Sequence, residues 1–323
     1  MKAIRFAKTG GPEVLSLQEI ELPAPAPGQV RIRHKAIGVN FIDTYQRSGL
    51  YPVPLPSGLG LEAAGVIEAV GEGVSDLKPG DRVGYCLGPL GAYAEANNVA
   101  ADRLVKLPDG VSEETAAAAM LKGLTAQYLL KQTFPVQRGQ TILIHSAAGG
   151  VGLIAGQWAK HLGCTVIGTV GSDDKMEPAK AHGYDRLLNL RQDDWVAQVR
   201  EWTKGEGVPV VYDSVGKDTF QGSLDCLALR GMLVSFGNSS GAVPAFEPSL
   251  LSAKGSLYLT RPTLFHYAAA PKALQAMADD LFAVILSGAV KIAINQRFPL
   301  ADARAAHEAL HSRKTTGATI LVP

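Results

Sequence analysis

The stretch from Thr141 to Gly152, TILIHSAAGGVG, leaves the chain few folds to choose from. It reads as a short buried strand that breaks into a glycine-rich turn. A helix follows at once, because Val151, Ile154, Ala155, Trp158, Ala159 and Leu162 recur at helical spacing before Gly163 stops them. The next strand, Cys164 to Val170, arrives directly afterwards. A glycine turn between strand and helix lets the backbone come close to a pyrophosphate, while the unpaired N–H groups of the first helical turn face the anion. Against the G-x-G-x-x-G pattern the aligned residues are Ala147, Gly149 and Gly152, so the first glycine is an alanine. Taken alone, such a turn also suits a tight strand-to-helix connection that holds nothing. Its place between two strands and a helix favours a dinucleotide.

Composition bounds the partners. At 323 residues two domains are the natural expectation, and 31 Lys+Arg against 30 Asp+Glu give a net charge of +1. Such a balance calls for neither nucleic acid nor an anionic membrane. The three cysteines, Cys86, Cys164 and Cys226, are too far apart for a disulfide framework or a zinc cluster, which points to a reducing cytosol. The opening MKAIRFAK carries charge where a signal segment needs apolar residues, and no apolar run is long enough to span a membrane. The expectation is a cytoplasmic protein.

Short strand-like runs fill the first part of the chain: Ala3 to Phe6, Leu15 to Ile20, Val30 to Val39 and Gly65 to Val70, punctuated by glycine and proline turns. Ser112-Glu113-Glu114-Thr115 looks like a helix cap before Ala116 to Met120. From Thr141 onward strand and helix alternate, which means a parallel sheet with helices on both faces. The expected elements are strands at Leu187–Leu190, Val208–Val215, Met232–Phe236 and Ser256–Thr260, with helices at Trp195–Trp202 and Phe220–Leu229, the latter ended by Gly231. A helix at Pro271–Leu286, a strand near Val290–Ile294, a helix at Asp302–Leu310 and a strand at Ala318–Val322 follow. Pro178 should delay or kink the helix it falls in.

These residues together resemble the zinc-free quinone oxidoreductases, the zeta-crystallin-like branch of the medium-chain dehydrogenase/reductase superfamily. The resemblance covers essentially the whole chain and rests on GVNFID at 38–43, GLGLEAAG at 58–65, KPGDRV at 78–83, GLTA at 123–126, AAGGVG at 147–152, VYDSVG at 211–216 and SFGNSSG at 235–241. It implies an α/β protein: a Rossmann doubly wound parallel sheet at 124–262 plus a GroES-like β-rich catalytic domain formed by 1–123 and 263–323, with the nicotinamide held between them. It also implies a homodimer paired through the last Rossmann strand.

Alcohol dehydrogenases of the superfamily hold a catalytic zinc, and their first-domain ligands would fall at Asn40 and Leu61. Neither side chain offers the thiolate, imidazole or carboxylate that zinc needs, and Glu62 alone makes no site. The seven histidines are scattered; His307 and His311 stand four apart, which reads as a solvated helix face. No metal is expected, and without a Lewis acid an electron-poor acceptor is easier to reduce than an alcohol is to oxidise. The acid that normally grips the ribose 2′-hydroxyl is missing, since counting 19 on from Gly152 reaches Gly171. That opening, with Ser172 and Lys175, favours NADPH. The resemblance adds Arg313, but its tyrosine position is Leu190 here, beside Arg191.

By resemblance, the remaining cofactor contacts are Thr125, Ala148, Gly149, Gly150, Val151, Ser214, Phe236, Gly237, Asn238, Ser239 and Gly317. Asn40, Asp43, Tyr45 and Tyr51 are then the catalytic candidates, their amide and phenols suiting a quinone oxygen that gains charge. Asn40 to Asp43 could equally be a capped turn that only gives the site its shape. The expected function is NADPH-dependent reduction of small quinones. The alternatives are an NADPH-dependent enone or 2-alkenal reductase, and an NADPH-binding structural or RNA-associated crystallin-like protein.

Overall fold

The alternating second half of the sequence forms a parallel sheet of six strands in the computed structural model, which describes residues 1–323. The strand order is Arg186–Asn189, Thr165–Val170, Thr141–Ile144, Val208–Asp213, Leu227–Ser235, Tyr258–Thr260. Chain order therefore reverses between Thr141–Ile144 and Val208–Asp213. In an open parallel sheet that reversal leaves a crevice beyond the carboxyl ends of the strands, where ligands bind. Leu143, Ile167, Val211 and Leu233 of the strands, with Phe220 and Leu224 of a flanking helix, make one buried core. Strands covered by helices are apolar along their whole length, which is why these runs lack an alternating pattern. This unit comprises 125–267 and 287–291.

The other unit comprises Met1–Leu124, Ala268–Leu286 and Ile292–Pro323. Its larger sheet runs Ile294–Pro299, Ala318–Val322, Gln29–Val39, Ala63–Val70, Arg82–Tyr85, Val105–Lys106, with Ala96–Ala100 also paired to Gln29–Val39. A three-stranded sheet, Ser16–Glu19, Lys2–Phe6 and Ser57–Gly58, completes it. Gln29–Val39, 11 residues long, bonds to three neighbours and is the hub of the unit. Val30, Ile32, Ile37, Leu59, Ile67 and Leu321 are buried around it. The sequence reading brings the chain back to the first unit at residue 263; the return falls at Ala268, and 287–291 visit the second unit again.

Two expected elements change. The helix over Phe220–Leu229 stops at Asp225, and Leu227 already begins the next strand, which runs on through Arg230 at a left-handed φ of 59°. Gly231 therefore lies within a strand. Leu227 is buried beside Val208, its parallel partner, so strand pairing wins over a spacing that fits either period. The strand expected at Val290–Ile294 is instead Ile294–Pro299, where half-buried and exposed residues alternate. Its polar residues hid it from a search for apolar runs. The Ser112 cap forms, the Thr115 N–H donating to its hydroxyl at 3.1 Å. Pro178 falls in a helix of only five residues, Met176–Lys180, which begins after a 3-10 turn. No helix of the protein is long and apolar enough to cross a membrane.

Candidate active site

In the first unit the hub strand ends at Val39, and Asn40 caps the helix Phe41–Ser48. The cap is made by Asp43, whose Oδ2 accepts the Asn40 N–H at 2.8 Å. The Asn40 amide in turn donates to Glu62 Oε2 at 2.8 Å. Glu62 is fully buried and also accepts the Leu121 N–H at 2.6 Å and the Lys122 ammonium at 3.4 Å. Gly38 makes room for this carboxylate, since a Cβ there would stand 2.1 Å from Glu62 Oε2. The place where a metal ligand falls in alcohol dehydrogenases is thus an amide tied to a carboxylate, with an ammonium as its counter-ion. No three metal-competent side chains gather anywhere in the protein.

Asp43 does not line open space. It is 0% exposed, and burial pushes its carboxyl up to about 7 against the pull of the Asn40 N–H and the Tyr93 hydroxyl. It therefore acts through what it positions, and the candidate contacts of this unit reduce to Asn40, Tyr45 and Tyr51. The two tyrosine rings pack edge to face, centroids 5.2 Å apart, both half-buried, and the Tyr51 N–H donates to the Tyr45 carbonyl at 3.1 Å. Arg313 and Gly317 also belong to this unit. Arg313 takes a left-handed φ of 56° just past the Ala303–His311 helix. Gly317 is required as glycine, with φ 60° and Ala293 O only 2.5 Å from where a Cβ would sit.

The histidine pair is a correction. His307 is fully buried, bonded to the Tyr93 hydroxyl at 3.1 Å and to Arg47 at 3.0 Å, and only His311 is exposed. The pattern that read as a solvated face is one buried polar residue beside one solvated one. Burial holds His307 down at about 3, so it is a neutral core histidine.

In the second unit the expected cofactor residues line up along the carboxyl edge of the sheet. Ala148 lies in the turn after Thr141–Ile144, Gly149 caps the 12-residue helix Gly150–His161, and Gly150 and Val151 open its first turn. Those first-turn N–H groups have no partner within the helix. Gly152 is required by packing, because a Cβ would stand 2.2 Å from Ser146 O. After Thr165–Val170 comes Gly171, where a Cβ would meet nothing within 4 Å, then Ser172 and a 3-10 turn ending at Lys175. Asp173 is turned towards Asn189, whose amide donates to it at 2.8 Å. The exposed Arg191 lies two residues beyond that asparagine. After Val208–Asp213 comes Ser214, and after Leu227–Ser235 come Phe236, Gly237, Asn238 and Ser239. Gly237 approaches Ser214 so closely that a Cβ would stand 2.4 Å from its carbonyl. Thr125 lies in the Glu113–Tyr128 helix and is almost buried. The open position at Gly171 and the free first-turn donors fit a phosphorylated dinucleotide.

Two buried residues that organise this edge escape sequence reasoning. Asp213 Oδ1 accepts the Val215 and Gly216 N–H groups at 2.8 and 3.0 Å, and its Oδ2 takes Thr219 and Ser223 hydroxyls at 2.7 and 2.9 Å. His145 bridges Ser223 (3.0 Å) and Thr169 (2.8 Å). The sequence signal for Asp213 is the D-S-V-G turn itself, in which a carboxylate bonds the backbone two residues on. Ser223 sits between His145 and Asp213 with its proton given to the carboxylate, so this buried trio ties the sheet to the Phe220–Asp225 helix and is no nucleophile.

Two family models match the chain: an alcohol dehydrogenase GroES-like domain over residues 26–109 and a zinc-binding dehydrogenase over 150–279. A quinone oxidoreductase of Pseudomonas aeruginosa is 57% identical over 323 residues, covering 100% of this chain and 99% of that protein. The chain belongs to the quinone oxidoreductases of the medium-chain dehydrogenase/reductase superfamily. Its family membership extends to structure: the crystal structure of Escherichia coli quinone oxidoreductase complexed with NADPH superposes with a TM-score of 0.99 at 50% identity, covering 100% of both chains. Within reach of the same family lies a 2-haloacrylate reductase from a Burkholderia species, 46% identical over 324 residues and covering 98% of this chain and 97% of that one.

Proposed function

We propose that the protein is an NADPH-dependent quinone reductase. The observation that carries this reading is the near-superposition on a quinone oxidoreductase complexed with NADPH. NADPH, when bound, supplies the hydride. The first-turn N–H groups of Gly150–His161 would hold its pyrophosphate, and the Gly171 opening with Ser172, Lys175 and Arg191 would meet the 2′-phosphate. The loops carrying Ser214 and Phe236 to Ser239 shape the cofactor side, with Thr125 and Gly317. Asn40 and the Tyr45 and Tyr51 phenols donate to the substrate oxygen as it gains charge. A quinone needs little more help, because reduction makes it aromatic and positioning does most of the rest.

The test is NADPH oxidation over ortho-quinones, para-quinones, enones and simple alcohols, beside NADPH and NADH binding. Quinone turnover with a preference for NADPH is expected, and simple alcohols should not be oxidised. The 46% identity to a 2-haloacrylate reductase favours a second reading, hydride delivery to an activated C=C bond. Brisk reduction of enones with none of quinones would put that reading first. NADPH binding with neither turnover would favour a binding protein.

We infer a homodimer as well, because Tyr258–Thr260 is the edge of the six-stranded sheet and leaves Tyr258 52% and nearby Leu229 82% exposed. A cytoplasmic location accords with three buried, unpaired cysteines.

A further inference from the structure

A chain of four buried side chains links two helices of the first unit. Arg47 Nη1 meets His307 Nδ1 at 3.0 Å, His307 Nε2 meets the Tyr93 oxygen at 3.1 Å, and the Tyr93 O–H donates to Asp43 Oδ2 at 2.8 Å. The same Oδ2 accepts the Asn40 N–H, whereas Asp43 Oδ1 is buried without any partner. Gln46 Oε1, three residues along the same helix, is likewise buried and unpartnered.

The direction of this chain is fixed from one end. A guanidinium has only donors, so His307 Nδ1 must be bare and accept. Its proton is then on Nε2 and is given to the Tyr93 oxygen, which leaves the Tyr93 hydrogen for Asp43. Every hydrogen points at Asp43, and neither Tyr93 nor His307 can take one from it. No cation bonds Asp43 directly: Tyr93 and His307 stand between it and Arg47, and Lys122 is paired with Glu62. Ionised, Asp43 would bury a carboxylate with one bare oxygen, which is costly. A proton on Oδ1 removes the charge and turns the bare acceptor into a donor, and Gln46 Oε1 is a bare acceptor at neighbouring helical spacing.

We propose that Asp43 is a neutral carboxylic acid in the folded protein in mildly acidic solution, protonated on Oδ1, and that Arg47, His307 and Tyr93 are positioning residues that fix this state and thereby the helix turn carrying Asn40. The charged and titratable groups facing Asp43 agree. Burial raises it, the Asn40 N–H, the Tyr93 hydroxyl and the Lys122 charge only partly oppose the rise, and Glu62 adds a little to it. Burial and the Arg47 charge keep His307 neutral.

Infrared spectroscopy of the whole protein reads the proton directly. A carboxylic-acid C=O band should be present in mildly acidic buffer, fade as pH rises through about 7, and be missing in Asp43→Asn. No such band separating parent from variant at any pH would overturn the proposal. Should Asp43→Asn fail to fold, nitrogen-15 spectra of the parent decide, because a His307 protonated on Nδ1, or on both nitrogens at neutral pH, breaks the chain's direction and ends the proposal.

The bearing on turnover rests on the quinone-reductase reading. There Asp43→Asn, a permanent stand-in for the acid, should keep the KM for NADPH and abolish the alkaline decline of kcat contributed by this group. An unchanged alkaline decline in a folded, active variant would count against the positioning role. A protein showing the infrared band but reducing no quinone would sink the activity and leave the protonation intact.

Discussion

Lys122 follows the apolar run Ala116–Leu121 in the Glu113–Tyr128 helix, and it is paired to a carboxylate with 0% side-chain exposure. Removing one partner of such a pair leaves a charge stranded, at a cost of about 3–5 kcal/mol. Lys122→Met should therefore destabilise strongly in denaturant unfolding, and adding Glu62→Gln should recover part of the loss, since no charge is then stranded although the single amide oxygen can replace only one of the two carboxylate oxygens that serve the Asn40 amide and the Leu121 N–H. A double variant as unstable as the single one would contradict the pairing. Lys175 poses a binding question. A charged hydrogen bond to a phosphate is worth about 1.5–3 kcal/mol, so Lys175→Ala should weaken NADPH roughly tenfold to a hundredfold and leave NADH nearly untouched. Titrating both cofactors by fluorescence reads the difference directly.

Among the elements, the turn into the Gly150–His161 helix separates packing from binding. At Gly152 a methyl would press on two carbonyl oxygens, 2.2 and 2.7 Å away, forcing the helix off the strand at about 1–3 kcal/mol or more. At Gly171 a methyl meets nothing. Gly152→Ala should thus lower the melting temperature, while Gly171→Ala should melt like the parent. The glycine turn and the strands around it were legible because glycine stops and long apolar runs leave one period to choose. Ile294–Pro299 was not, because a half-exposed strand interleaved with Asn295, Gln296 and Arg297 carries no apolar signature. On the site, the packing demand at Gly152 goes with its place in the glycine turn. The roles of Asp43, His307 and Lys122 were not legible, because burial of a polar residue is decided by which distant segments close over it: Tyr93 lies 50 residues from Asp43 and 214 from His307.

Across the whole molecule, opposing titrations shape the response to acid. His34 and His307 are held down at about 4 and about 3 by burial, so the folded state takes up their protons later than the unfolded one. Their contribution is full above the ordinary histidine range near 6.5 and drains away as pH falls towards 4 and 3. Asp43 runs the other way: raised to about 7, it stabilises below the ordinary aspartate range and loses that contribution as pH rises through 7. Burial holds His145 down as well, so melting curves should fall below about pH 6 with three histidines outweighing one acid, and Asp43→Asn should steepen that fall. Light scattering should give twice the chain mass, and Leu229→Asp should shift it towards the monomer. The hub strand Gln29–Val39 has one further consequence. Its neighbour Ala318–Val322 is synthesised nearly 300 residues after it, whereas the whole parallel sheet is complete by Thr260. On the ribosome, the second unit can fold while the first still waits for a central strand, so its emerging edge needs shielding until translation is nearly done, and chains stalled after Thr260 should expose that edge to chaperones.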